Sequence, residues 1–163
     1  MLRADFLRGL EALEEFDLAY DLLLFPKHLP VAAQVVQQFP RQRFVLDHIA
    51  KPFIKAGALA PWDADLRALA RFDNVFCKVS GLVTEAAWRA WHPADFAPFL
   101  EVVFDCFGPQ RLLFGSDWPV CTLSADYAEV VDLARVHSAA LGAEAQAGLF
   151  GGNAEVFYKL PTR

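Results

Sequence analysis

Apolar runs long enough to span a bilayer are missing from this 163-residue chain, although hydrophobic residues make up 55% of it. Charges or prolines interrupt every such stretch well short of the ~18 residues a spanning helix needs. The opening Met1-Leu2-Arg3-Ala4-Asp5 has no apolar signal core, so an exported protein is not expected. Basic clusters are scarce too. The one cluster, Arg41-Gln42-Arg43, has no aromatic interleaving, and the net charge is −5, which excludes nucleic acid as the expected partner. The three cysteines, Cys77, Cys106 and Cys121, are odd in number and form no CxxC, so they read as reduced core residues of a cytoplasmic protein. HExxH, HxH and GxSxG are all absent, and Gly151-Gly152-Asn153 lacks the rest of a phosphate loop.

What the chain does have is a sizeable core. Its length is that of one ordinary domain, and with 21% charged residues the composition rules out disorder. A pattern recurs along it: a short apolar run, then polar residues, then a helical stretch. The apolar runs are Leu18–Phe25, Phe44–His48, Val75–Ser80 and Leu112–Asp117. Continuous apolar character, rather than strict alternation, marks parallel strands covered on both faces. Helical spacing appears in Phe6, Leu10 and Leu13, and again in Val31, Val35 and Phe39 after Pro30. Asp63-Ala64-Asp65 opens a third helix, and residues 93–107 form a fourth. Ser124 is expected to cap a fifth helix over 124–139, and Asn153 a last short one carrying Val156, Phe157 and Leu160. Alternating strands and helices predict an α/β fold with a parallel sheet, either open or half of an eight-stranded barrel.

In both architectures the chemistry sits at the carboxyl ends of the strands. His48 ends one predicted strand, Lys78 and Ser80 another, and Asp117 the last. An imidazole and a carboxylate at equivalent ends of nearby parallel strands would converge on one crevice. There they could share a metal, a water or a substrate proton.

The stretch Phe44-Val45-Leu46-Asp47-His48-Ile49-Ala50-Lys51-Pro52 resembles the VLDHxxKP strand end of the amidohydrolase-related family, in the branch of sugar-lactone and dicarboxylate-lactone hydrolases. Residues 74–82, NVFCKVSGL, are similar to that branch's NVYxKxSGL. Residues 111–119, RLLFGSDWP, are similar to its RxxFGSDWP, and Gly152-Asn153-Ala154 with Phe157-Tyr158 to its closing helix. The resemblance implies a (β/α)8 TIM barrel of about 280 residues, of which this chain would be the last four βα units. It thus implies a single domain over residues 1–163, truncated at its N-terminus and lacking the HxH of the family's first strand.

The implied reaction is hydrolysis of a small lactone. Asp117 would be the general base that activates water, and His48 would polarise the carbonyl or ligate a divalent ion. Lys78, Lys51 and His28 would hold an acidic or hydroxylated substrate, and Trp118 would wall the site. Asp21, inside an apolar strand, is expected to be paired internally. His48 and Asp117 give at most two ligands for a metal such as zinc, so metal dependence stays open. Two alternatives stand beside lactone hydrolysis: a metal-dependent decarboxylation, and a non-catalytic half-barrel that binds a partner. A half-barrel is expected to expose Leu22, Leu24, Val45, Phe76 and Leu113 and two open strand edges. It would therefore form homo-oligomers or take up a complementing N-terminal half.

Overall fold

The computed structural model describes residues 1–161. Four strands, β1 (Tyr20–Leu22), β2 (Phe44–Leu46), β3 (Val75–Val79) and β4 (Leu112–Phe114), form one sheet in the order β1-β2-β3-β4. Every neighbouring pair is parallel, with Asp21 opposite Val45, Val45 opposite Phe76, and Lys78 opposite Leu113. Sequential parallel order follows from repeated right-handed crossovers. The connecting helices are α1 (Ala4–Glu15), α2 (Leu29–Gln38), α3 (Trp62–Ala70), the short α4 (Leu82–Glu85), α5 (Ala97–Phe107) and α6 (Tyr127–Ser138), followed by α7 (Ala143–Ala147) and α8 (Asn153–Tyr158). Among the described residues, no helix is long and apolar enough to cross a membrane.

Because strand side chains alternate faces, the sheet has two different surfaces. The outward row, Phe44, Leu46, Val75, Cys77, Val79 and Leu112, packs against α1–α6 in one large core. Its register explains why Leu22 and Leu24, expected on the inner face, are instead buried beneath the helices. The inward row is smaller: Val45 and Leu113, with Phe76 partly buried beside them.

That inward row does not meet water either. Helix α8 lies across it, with Phe157 fully packed on Val45 and Leu113, and its ring centroid is 4.8 Å from that of Phe76. The expected exposure of Val45, Phe76 and Leu113 is therefore corrected: a segment of the same chain covers them. Arg43, at the foot of β2, fastens α8 by donating to the carbonyl oxygen of Phe157. Asn153 does not cap α8. It is the first residue of the helix, and its side-chain amide donates to the carbonyl oxygens of Pro109 and Leu112, both at 2.7 Å, which ties α8 to the start of β4. Val156 and Leu160 point to solvent, leaving Phe157 as the packing residue.

Ser124 is likewise not a cap but a buried residue ahead of α6. The helix begins after Asp126, whose N–H donates to Glu129 Oε2 at 2.7 Å, one arm of a capping box. The foot of the sheet is held by side chains that satisfy loop carbonyls. Arg111 donates to the carbonyls of Ala70, Phe72, Val75, Cys106 and Phe107, and Asn74 to those of Phe39 and Gln42. Cys77 and Cys121 are buried and Cys106 is half-buried, and all three are free thiols.

Candidate active site

His48 and Asp117 leave the carboxyl ends of β2 and β4 and meet there, with His48 Nε2 3.7 Å from Asp117 Oδ1. The separation is too long for a hydrogen bond but short enough for both groups to address one small molecule. Their side chains are 18% and 15% exposed, so each is largely desolvated yet reachable. The other ring nitrogen, Nδ1, lies 2.9 Å from Ser80 Oγ at the end of β3. Burial pushes the His48 pKa below its ordinary value and outweighs the opposite pull of Asp117 and Asp47, which favours the neutral ring.

Both residues stand on unusual backbone. Asp117 has φ 56°, and His48, Ile49, Ala50 and Lys51 form four consecutive left-handed residues with φ between 47° and 61°. Each non-glycine residue in that region costs roughly 1–2 kcal/mol, more when β-branched like Ile49. Such strain persists only where its surroundings enforce it. Here the enforcement is visible: Ile49 and Ala50 are fully buried, Lys51 N–H donates to the His48 carbonyl at 2.8 Å, and Gly81 seats the ring. Gly81 itself has φ 62°, and a Cβ there would lie 2.6 Å from His48 Cγ and Nδ1. Only glycine leaves room for the imidazole.

The remaining expected site residues are less free. Lys78 projects from the inner face of β3 and meets Asp21 Oδ2 at 2.5 Å, with Asp47 Oδ1 at 2.8 Å. The Asp47 oxygen is buried and lacks hydrogen-bond alignment, so that contact is mainly Coulombic. Burial pulls the Lys78 ammonium down, but the hydrogen bond to Asp21, the nearby Asp47 carboxylate and the Tyr158 hydroxyl outweigh it and hold it above the usual lysine range. Asp21 is internally paired, with Lys78 and with the Tyr158 hydroxyl, which donates at 3.1 Å.

Lys51 pairs with Glu85 at 3.0 Å. His28 stays within its own turn, where Nδ1 accepts the Phe25 N–H at 3.2 Å. Trp118 is 66% exposed directly beside Asp117. The structure thus brings together His48 and Asp117, and it engages Lys78, Lys51 and His28 with partners of their own. Ser80, read from the sequence only as a strand-end residue with no stated role, enters the site together with Gly81, Glu85 and Tyr158, which were not expected there. Of these, only the strand-end position of Ser80 was a readable signal.

Among the described residues, no three His, Cys, Asp or Glu side chains gather as a metal centre. A zinc site needs about three protein ligands. His48 and Asp117 alone do not fit one.

Four sequential parallel strands, helices along the outer face and an imidazole–carboxylate pair at the carboxyl edge define one half of a (β/α)8 barrel. Comparison with known proteins agrees. The chain belongs to the amidohydrolase family, whose model matches residues 2–160. It is 44% identical over 168 residues to an L-fucono-1,5-lactonase of Burkholderia multivorans, across 97% of this chain and 57% of that protein. An L-fucono-1,5-lactonase of Burkholderia ambifaria is 39% identical, across 93% and 53%. A crystal structure of an amidohydrolase from Burkholderia multivorans with bound zinc superimposes with a TM-score of 0.93 at 43% identity, covering 98% of this chain and 58% of that one. The chain therefore spans little more than half the length of the relatives it matches.

Proposed function

We propose that this chain carries half of the active site of a hydrolase acting on a small sugar lactone of the L-fucono-1,5-lactone type. The observation that carries the reading is the 3.7 Å approach of His48 to Asp117 at the carboxyl ends of strands from one parallel sheet. In the reaction, the Asp117 carboxylate takes a proton from water as the water oxygen attacks the lactone carbonyl carbon. His48 faces the carbonyl oxygen as it gains negative charge. Collapse of the tetrahedral adduct breaks the ring C–O bond, and Asp117 returns its proton to the departing alkoxide, giving the hydroxy acid.

Trp118, exposed beside Asp117, supplies a wall for the substrate. Lys51, held by one carboxylate, is the better placed of the two lysines to reach a substrate oxygen. Lys78 and His28, already engaged, act first by shaping the floor and rim. A divalent metal such as zinc would need ligands beyond His48 and Asp117, so any metal site would be completed by the other half of the barrel. The free thiols suit a reducing compartment and support a cytoplasmic location.

The coverage of the relatives supports a second element of the reading. The outer edges of β1 and β4 are those that a complementing half-barrel or a second copy would pair with. The test is hydrolysis of L-fucono-1,5-lactone, followed by acid release, by the chain alone and after addition of a polypeptide supplying the first four βα units. The expected result is turnover only in the mixture, with sedimentation showing association. A monomeric chain that hydrolyses the lactone unaided refutes the half-site reading.

A further inference from the structure

His48 has two ring nitrogens and two different neighbours, Ser80 Oγ at 2.9 Å from Nδ1 and Asp117 Oδ1 at 3.7 Å from Nε2. A neutral imidazole carries one proton, and which nitrogen holds it decides what the residue can do. With the proton on Nε2, His48 is a hydrogen-bond donor to a substrate oxygen. With the proton on Nδ1, Nε2 offers a lone pair to a metal or a proton. The surroundings choose between the two.

Ser80 is 3% exposed, and among the described residues its hydroxyl makes no hydrogen bond other than that with His48. The small cavity behind it is lined mainly by apolar side chains, Val79, Leu82, Phe114, Val130 and Leu133 among them; its one other hydroxyl, Ser116, accepts the Trp118 N–H and makes no hydrogen bond with Ser80. Were Nδ1 the donor, the Ser80 hydroxyl proton would be buried without a partner, at a cost of about 1–3 kcal/mol. If Ser80 donates to Nδ1, both groups are satisfied. Nε2 then carries the proton, which faces a carboxylate rather than presenting a lone pair to it. Gly81 completes the seat, since any Cβ would collide with the ring atoms that Ser80 bonds.

We propose that Ser80 is a positioning residue, donating its hydroxyl proton to His48 Nδ1 and holding the ring as its Nε2–H tautomer, so that His48 serves the site as a neutral hydrogen-bond donor. The proposal rests on the reading of His48 and Asp117 as the active pair and assigns the first of them its form. It explains how one edge of the sheet can hold both a base and a donor: Asp117 accepts a proton from water while Nε2–H binds the carbonyl oxygen, and neither neutralises the other.

Long-range proton–nitrogen correlation spectra of the uniformly 15N-labelled chain test this directly, after chelator treatment and at about pH 8, where imidazole is neutral. The His48 signals are assigned by their loss in His48→Gln. The expected spectrum shows a protonated Nε2 and a hydrogen-bonded, unprotonated Nδ1. In Ser80→Ala, the Nδ1 resonance should shift towards that of a free acceptor nitrogen, while the signals of His28, His92 and His137 stay in place and report an intact fold. A protonated Nδ1 in the wild-type chain overturns the proposal, and that measurement stands even if Ser80→Ala fails to fold. An Nδ1 resonance unmoved in folded Ser80→Ala overturns it as well. Because the readout needs no substrate, its failure is separable from a failure of the lactone assay.

Discussion

The indole N–H of Trp62 donates to the carbonyl oxygen of Ile49 at 2.8 Å, so a fully buried side chain on α3 grips the middle of the left-handed turn that carries His48. The turn contains no glycine, and its strain must be offset by contacts such as this one.

Trp62→Phe keeps most of the apolar bulk and deletes the donor. It should lower stability by about 1–3 kcal/mol, because the Ile49 carbonyl is left buried and unpaired. Urea unfolding should show a lower midpoint with an unchanged slope. An unchanged midpoint would mean that the turn holds itself.

Asp117→Asn keeps the shape of the side chain but cannot take a proton from water. In a complete, active assembly it should reduce kcat/KM by two or more powers of ten, whereas Ser116→Ala should leave it within a few-fold. Near-normal lactone hydrolysis by Asp117→Asn would remove it from the role of base.

The Lys78 ammonium lies between Asp21 and Asp47. Lys78→Met leaves those carboxylates facing each other with no cation between them. Allowing for partial solvent exposure, the cost should be about 2 kcal/mol. Lys51→Met, which frees only Glu85, should cost less. Equal unfolding midpoints for the two variants would contradict the ranking.

The depressed pKa of His48 has a definite sign. The unfolded chain binds a proton on this residue near pH 6.5, while the folded chain resists doing so until lower pH. The stabilising contribution is therefore fully present above about pH 6.5 and is lost as pH falls through the folded value. Urea midpoints measured between about pH 7.5 and 5 should fall less steeply in His48→Gln than in the wild-type chain. Parallel slopes would show that the ring titrates alike in both states.

Phe157→Ala uncovers Val45 and Leu113 together. The loss should be about 3–5 kcal/mol, and light scattering should show increased self-association. A variant as stable and as monodisperse as the wild type would mean that α8 contributes nothing to the inner face.

The strand order and the meeting of His48 with Asp117 were legible in the sequence for one reason. Parallel strands buried on both sides read as continuous apolar runs, and polar residues that end such runs stand out. Other features left no such mark. The left-handed run His48–Lys51 is made of residues that ordinarily avoid that backbone region, so nothing in Ile49 or Ala50 announces it. The capping box Asp126–Glu129 was the stronger helix start, and Ser124 was only a plausible residue lying two positions too early. Phe157 shows the deepest limit. Helical periodicity says that a side chain is buried, but not which surface of the sheet receives it.

The placement of α8 has a consequence for the order in which the chain is made. The strands leave the ribosome in the order in which they pair, and their outer face can be covered helix by helix as synthesis proceeds. The inner face cannot. Val45 and Leu113 wait for Phe157, and the Arg43 clamp waits for the same residue. A chain with all four strands emerged therefore carries an apolar surface that stays open until α8 has followed.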